Sequence, residues 1–421
     1  MNYLRSLGLV AFTSFVATAI CISGIALAES ASATDEIDTS SQSVDAQGPD
    51  AEYEAPNYSL ERQGHSIRDQ KSVTYGSPTS FLEWHGYLDF EFDDGQGANS
   101  NFDNHEFYLS TKANISERLR VIAEFEYEHT PEKLILPVQA FAEYDLWGDM
   151  VTIRAGLFYV PLGINRSLTL RAPENHMVRQ VAFTHDLIFE NWSTVGVEIY
   201  GELPIGDTGL AWFYDLSIGN GIRGYGNGDS WFDADETLQN HTEDNNNNKL
   251  FAGRTGISFS NILGFGGDIG FSYATQQYNT GSPKGNNPLN HFGTDLRISH
   301  ESGFGLQAEY MEREGEDNTL DSSSVTADAE GWYVKVYQRM FEQHSRFVNF
   351  VDLVFQIDSI DTNDMVGNSL LTLAPAIVYS PEAHLQLKLE YDIVLEHNGG
   401  SSFKRNIINN DKIWLAIVVE F

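Results

Sequence analysis

From Phe81 to the C-terminus the chain repeats one pattern, a run of about ten residues with apolar side chains at every second position, closed by a polar break. In the first run Leu82, Trp84, Leu88, Phe90 and Phe92 alternate with Glu83, His85, Tyr87, Asp89 and Glu91. The clearest run sets Leu385, Leu387, Leu389, Tyr391, Ile393 and Leu395 against Gln386, Lys388, Glu390, Asp392 and Glu396. A helix has a period of about 3.6 and could not divide these residues between two faces, so each run predicts a strand. The runs lie near 82–93, 105–115, 119–128, 138–146, 151–159, 194–203, 209–219, 249–260, 265–275, 291–300, 304–313, 330–340, 346–357, 368–379, 384–396 and 411–421. Pro375 fits the pattern worst, because proline has no N–H to give to a ladder.

The connections carry a second pattern. Short ones fall at Ser116 to Arg118, Trp147 to Met150, Pro204 to Thr208, Asn261 to Gly264, Glu301 to Gly303, Phe341 to Ser345 and Ser380 to Ala383, and they alternate with longer ones. Alternating faces and alternating connections together predict an all-β fold, a transmembrane antiparallel β-barrel of about 16 strands with short periplasmic turns, longer outer loops and both ends in the periplasm. The last run, Asp411 to Phe421, ends on an aromatic ring and resembles the terminal strand of a Gram-negative outer-membrane barrel. That resemblance implies recognition by the barrel assembly machinery. Trp84, Tyr127, Tyr144, Trp147, Trp192, Trp212, Trp332, Tyr379 and Trp414 collect near strand ends, where a membrane-interface girdle would want amphipathic rings.

Composition changes this picture little. Hydrophobic residues make up 41% of the chain, which is low for a helical membrane protein and ordinary for a barrel with a polar inner face. The charge of −35, from 25 basic and 60 acidic residues, argues against nucleic acid and anionic lipid surfaces as partners. Residues 1–28 read as a signal peptide, with Arg5, an apolar run from Leu7 to Leu27 and the ending Ala26-Leu27-Ala28. The single cysteine, Cys21, could instead mark a lipoprotein site, but Ile20 stands where such sites have a small residue. Residues 29–80 read as an acidic linker and periplasmic segment with little to bury, which leaves 81–421 as the barrel.

The candidate chemistry gathers around the third outer connection, Val160 to Ser193, expected to fold into the lumen. The arm that enters it, Arg154-Ala-Gly-Leu-Phe-Tyr-Val-Pro-Leu-Gly-Ile-Asn165, and the arm that leaves it, Asn191-Trp-Ser-Thr-Val-Gly-Val-Glu-Ile-Tyr-Gly-Glu202, resemble the phosphate-selective porin O/P-like superfamily. The resemblance implies a passive, water-filled channel that assembles as a homotrimer in the outer membrane, in contact with lipid and lipopolysaccharide. It implies no cofactor. Arg154, Arg166, Arg171, Arg179, Glu174, Asp186 and Glu190 are the constriction candidates, with His176 and His185 among them. Opposed charges across a constriction filter solutes by charge and dipole, whereas paired ones pin the loop to the wall, and both can hold at once.

Strand parity assigns further charges to the lumen: Arg120, Arg254, Arg297 and Lys335 among the bases, Glu124, Glu198, Asp295 and Glu309 among the acids. Lys112, Arg339 and Lys388, and Asp89, Glu91, Glu143, Asp352, Glu390 and Asp392, share that parity. The acidic excess departs from the ladder of Arg and Lys in phosphate-selective relatives and points to weak selectivity that favours neutral or cationic solutes. Asp229, Asp233, Asp235 and Glu236 in one outer loop, and Glu314, Glu316, Asp317, Asp321 and Asp328 in another, read as solvated acidic surface without the spacing of an EF-hand calcium loop. A hydrolase reading finds only the adjacent His185 and Asp186, with no G-x-S-x-G or H-E-x-x-H motif. The competing reading is a structural or adhesive barrel that binds through its surface loops.

Overall fold

The computed structural model describes residues 81–95, 99–128, 135–164, 171–181, 187–188, 192–222, 248–279, 286–317, 325–341, 348–361, 369–398 and 411–421, all within one compact unit, Glu54–Phe421. The expected signal peptide, the 29–80 segment, the Asp229 to Glu236 cluster and Asp321 lie outside the described residues.

The strands are β1 (Leu82–Gly95), β2 (Asn101–Asn114), β3 (Leu119–Glu128), β4 (Ile135–Asp145), β5 (Thr152–Tyr159), β6 (Ser193–Pro204), β7 (Leu210–Asn220) and β8 (Lys249–Ile262). They continue as β9 (Phe265–Asn279), β10 (Asn286–His300), β11 (Phe304–Asp317), β12 (Val325–Met340), β13 (Phe350–Asp361), β14 (Ser369–Glu382), β15 (Leu385–Asn398) and β16 (Lys412–Glu420). Each pairs antiparallel with its sequence neighbours, and β1 pairs with β16, so all 16 close into one transmembrane barrel without an edge. Closure lets strands cross lipid, since a closed ladder has no edge strand with a row of unpaired N–H and C=O groups.

The alternation becomes two faces. On β1 Trp84, Leu88 and Phe90 are exposed on the outer side while Glu83, His85, Tyr87, Asp89 and Glu91 are buried on the inner one. The seam closes on Phe421. Its N–H donates to the Gly86 carbonyl and its carbonyl accepts from the Gly86 N–H, both at 2.9 Å. Its ring lies where a Cβ on Gly86 would fall, 2.5 Å from Cζ, and stacks on Phe107 at 6.0 Å.

Local departures have local causes. The β3–β4 register shifts after Glu124, so Val138 and Gln139 are both buried. Such a bulge changes which residues face inward beyond it. Pro375 is exposed on the outer face opposite Phe355, and the β14–β15 pairing passes from Leu373–Ile393 to Ala376–Glu390 across it. The missing N–H leaves a gap in that ladder while the register is kept.

Two tryptophans expected in the interface girdle lie inside instead. Trp192 is 1% exposed and packs its ring against His291 at 5.1 Å. Trp414 shares the inner face of β16 with Ala416 and Val418, and its Nε1 donates to Asp392 Oδ2 at 2.9 Å. An indole that finds a buried acceptor gains as much from the interior as from the interface.

Candidate functional site

The site grows from the connection between β5 and β6. Gly163, on the incoming arm, has φ +71, a conformation glycine adopts without strain. Its N–H donates to Ser272 Oγ on β9 at 2.8 Å, and the next N–H, of Ile164, donates to Glu309 Oε1 on β11 at 3.2 Å. A Cβ on Gly163 would fall 1.6 Å from Glu309 Oε1. The glycine lets the chain turn inward and lie flat on the wall.

Apolar side chains anchor both ends of the connection. Val160, Leu162 and Ile164 from one side, and Val181, Leu187, Ile188 and Trp192 from the other, form a cluster with Leu250, Met311, Tyr333, Ile360 and Leu370 from the inner faces of β8, β11, β12, β13 and β14. Fully burying a side chain of this size stabilises by about 1.5–3 kcal/mol, so the cluster alone resists lifting the arms from the wall.

Between the arms, the described segment 171–181 is fastened by polar contacts. Arg171 donates to Glu124 Oε2 on β3 at 2.8 Å and to the Tyr108 hydroxyl on β2, with its guanidinium 4.5 Å over the Tyr108 ring. Lys388 on β15 donates to the carbonyls of Ala172 and Asn175, and Lys335 on β12 to Asn175 Oδ1 at 3.2 Å. Gln386 donates to the Pro173 carbonyl at 3.1 Å. Glu390 Oε2 accepts the N–H groups of Val178 at 2.6 Å and Arg179 at 3.1 Å. Arg179 then forks: Nη2 to Asp358 Oδ2 on β13 at 2.7 Å, and Nε to Asp392 Oδ2 on β15 at 2.9 Å. His176 lies 3.5 Å from Asp352 Oδ2 and stacks on Tyr337 at 4.1 Å. A segment that leaves the wall between β5 and β6 is thus tied to β2 and β3 on one side and to β12, β13 and β15 on the other.

Burial sets the protonation of this segment. It pushes the Glu174 carboxyl up to about 8; Arg171 pulls the other way and Glu420 adds to the rise. It lowers the His176 imidazole below its usual value, against the pull of Asp352. Burial also opposes the charges of Arg171 and Arg179, but Glu124 and Asp358 more than offset it and hold both guanidiniums above their ordinary value.

The inner wall carries its own ion pairs. Arg120 Nε meets Glu143 Oε1 at 2.8 Å and its Nη1 meets Asp145 Oδ2 at 2.7 Å. Arg154 lies between Glu198 at 2.8 Å and Glu143 at 3.3 Å. Arg254 bridges Asp268 and Asp295, and Arg297 Nε donates to Asp268 at 2.9 Å. Glu124, Glu198, Asp295, Glu309 and Lys335 all have under a tenth of their surface exposed, on the same inner face.

Of the constriction candidates, Arg154, Arg171, Glu174 and Arg179 lie in the described structure, while Arg166, Asp186 and Glu190, with His185, lie outside the described residues. Arg171 and Arg179 meet carboxylates of the wall, and Arg154 belongs to the wall itself. Sequence reasoning placed Lys388, Glu390 and Asp392 on the inner face by parity without linking them to the loop, since 213 residues separate Arg179 from Asp392. Among the described residues no group of His, Cys, Asp and Glu is arranged to hold a metal ion.

No family model and no curated protein matches the chain. Solved structures do match in fold. Salmonella typhi OmpF, solved with daunomycin, is 13% identical with a TM-score of 0.55, over 81% of this chain and 97% of its own. An anion-selective porin from Comamonas acidovorans is 9% identical, TM-score 0.54, over 81% of this chain and 99% of its own. The outer membrane channel DcaP of Acinetobacter baumannii is 10% identical, TM-score 0.51, over 83% of this chain and all of its own. At these identities the likeness is one of fold: the chain has the 16-stranded barrel of outer-membrane porins.

Proposed function

We propose that this chain is a passive outer-membrane diffusion channel for small hydrophilic solutes or ions, filtered by the 160–193 loop. One observation carries the reading: the described part of the loop is fastened to inner-face side chains of strands on both sides of its own, at Glu124, Lys388 and Asp358. A loop so held narrows the lumen in a fixed way, and a fixed narrowing sorts solutes by size without an energy source.

The selectivity follows from the wall. Arg120, Arg154, Arg254 and Arg297 each sit against a carboxylate, so none of these guanidiniums offers an uncancelled charge to an anion. With acids in excess, the channel prefers neutral and cationic solutes weakly. The local resemblance to phosphate-selective porins is therefore taken to reflect how the loop leaves and rejoins the barrel, a role in which Gly163 has a physical part, and not the solute. The reading implies outer-membrane lipid and lipopolysaccharide around the barrel, assembly through the C-terminal strand and a homotrimer.

The apolar cluster under the loop arms favours a second reading, a structural or adhesive barrel with little pore activity. The reversal potential of purified protein in a planar bilayer across a potassium chloride gradient separates the two. A small shift toward the potassium potential is expected; strong anion preference would overturn the selectivity, and absence of current would favour the second reading.

A further inference from the structure

Lys335, on the inner face of β12 and 3% exposed, is held differently from the bases around it. Arg120, Arg154, Arg254, Arg297 and Arg339 each meet a carboxylate, and Lys388 gives its ammonium to carbonyls of the loop. Among the described residues Lys335 Nζ has one hydrogen bond, to the neutral Asn175 Oδ1 at 3.2 Å. The charged groups that act on it are Lys388, of the same sign, and Glu390, whose Oε2 already takes the N–H groups of Val178 and Arg179. No carboxylate of the described residues pairs with Lys335, so its charge and its remaining N–H donors are left over.

The amides beside it add donors without acceptors. Gln356 stands directly opposite Lys335 in the β12–β13 ladder, where Cβ atoms lie about 5 Å apart. It is 1% exposed, and its buried Nε2 meets no acceptor among the described residues. Ala374, its neighbour on β14, has no polar side-chain atom to offer. Asn175 of the loop accepts on Oδ1 from Lys335 and from the Met177 N–H, so Nδ2 of the same amide lies beside the Lys335 ammonium, and no described residue accepts from it. Gln307, opposite Lys335 on β11, has a buried Oε1 that meets no donor. A buried ammonium without a counter-charge and a buried amide without an acceptor are both unfavourable, and one anion relieves both.

We infer that Lys335, Gln356 and Asn175 form the seat of a small monovalent anion, a halide such as chloride, held between the barrel wall and the loop. The donors carry one uncancelled positive charge, which one negative charge balances. A seat so nearly closed to water favours a weakly hydrated monovalent ion over a strongly hydrated oxyanion such as sulfate. Turned over, the Gln307 amide supplies a further N–H, and its Oε1 no longer lies buried without a donor. Asn175 belongs to the loop, while Lys335 and Gln356 belong to the wall. The anion therefore binds the docked loop better than the lifted one, and docking is linked to chloride concentration. An ion held there joins loop to wall and is not one that passes, so the weak cation preference of the lumen stands beside it. The inference rests on the docked loop and does not require conduction.

The probe is chloride itself, exchanged for gluconate at one ionic strength. Loop proteolysis of detergent-folded protein is the readout, with folding verified by heat-modifiable gel mobility. Chloride is expected to slow loop cleavage in the native chain, about tenfold at ten times its dissociation constant, because it binds the docked state. Lys335→Met is expected to be cleaved at one rate in both salts. Gln356→Leu, which leaves the Lys335 contact with the loop in place, carries the same expectation and serves if Lys335→Met does not fold. Arg179→Gln, which loosens the loop elsewhere, is expected to raise both rates and keep their ratio. Equal rates in both salts for the native chain would mean that water alone fills the seat, and a salt effect that survives in the folded Lys335 and Gln356 variants would place the anion elsewhere; either overturns the inference. A chloride effect in a protein that carries no current supports the inference and removes the channel reading; current without a chloride effect does the reverse.

Discussion

Lys388 on β15 holds the carbonyl of Ala172, which stands 216 residues earlier on the connection between β5 and β6. The same ammonium also takes the Asn175 carbonyl, so one side chain fixes a whole turn of the loop. Replacing it, Lys388→Met, removes both donors and leaves buried carbonyls without them. A hydrogen bond to a charged group contributes about 1.5–3 kcal/mol, so loop docking should weaken by at least that much. Single-channel recordings should show higher conductance and more frequent current fluctuations than the native chain, and unchanged recordings would mean that Lys388 does not hold the loop.

The seam between β1 and β16 makes a second prediction. Gly86→Val puts a Cβ 2.5 Å from the Phe421 ring and 2.8 Å from the Tyr108 carbonyl. Backbone and ring cannot both stay, and the closing ladder is disturbed. The yield of heat-modifiable, folded barrel should fall several-fold, with a partial recovery in Gly86→Val combined with Phe421→Leu.

Gly163 is tested by Gly163→Ala. The new Cβ meets Glu309 Oε1 at 1.6 Å, in a backbone conformation with φ +71. Residues held in such a region cost about 1–3 kcal/mol, and the displaced carboxylate releases the Ile164 N–H. The barrel wall does not depend on that turn, so the variant should fold, migrate normally and show a less restrictive pore.

Docking of the loop should also depend on pH. Glu174 rises from 4.5 to about 8, facing Arg171, Glu420 and Lys388, so the docked loop holds its proton more tightly than a free one. Its contribution is full below 4.5 and is lost as pH climbs through about 8. His176 is lowered from 6.5, facing Asp352, Lys335 and Arg339, so its contribution is present above 6.5 and fades as pH falls further. Loop proteolysis measured against pH should be slowest between these limits. Glu174→Gln should flatten the alkaline rise and His176→Gln the acid one; a profile that neither change alters would refute the assignment.

The strands were legible because lipid on one side and polar groups on the other enforce a period of two. Their outer ends were not. The structure extends β12 back to Val325, β10 back to Asn286 and β11 on to Asp317, where most residues are polar or small and the alternation is too sparse to read. In the loop, Arg171, Glu174 and Arg179 stood out because their charge balance departs from an acidic background. Glu124 and Asp392 were placed on the inner face by parity, whereas Asp358 lies one residue past the run expected at 346–357, and no pattern in one sequence says that Arg179 reaches Asp358 and Asp392 while Arg171 reaches Glu124. Trp414 shows the same limit from the other direction. Its parity with Lys412 and Ala416 marked the inner face, while its residue type suggested the interface, and a buried acceptor on Asp392 decided it.

The size limit for uncharged solutes tests the central claim most directly. Liposomes containing the native chain, assayed for swelling in sugars of graded mass, should admit the smallest and exclude the larger ones sharply, and liposomes with Lys388→Met should admit larger sugars than the native chain. Native liposomes that fail to swell even in the smallest sugar, or an identical limit in both proteins, would contradict a channel filtered by its fastened loop.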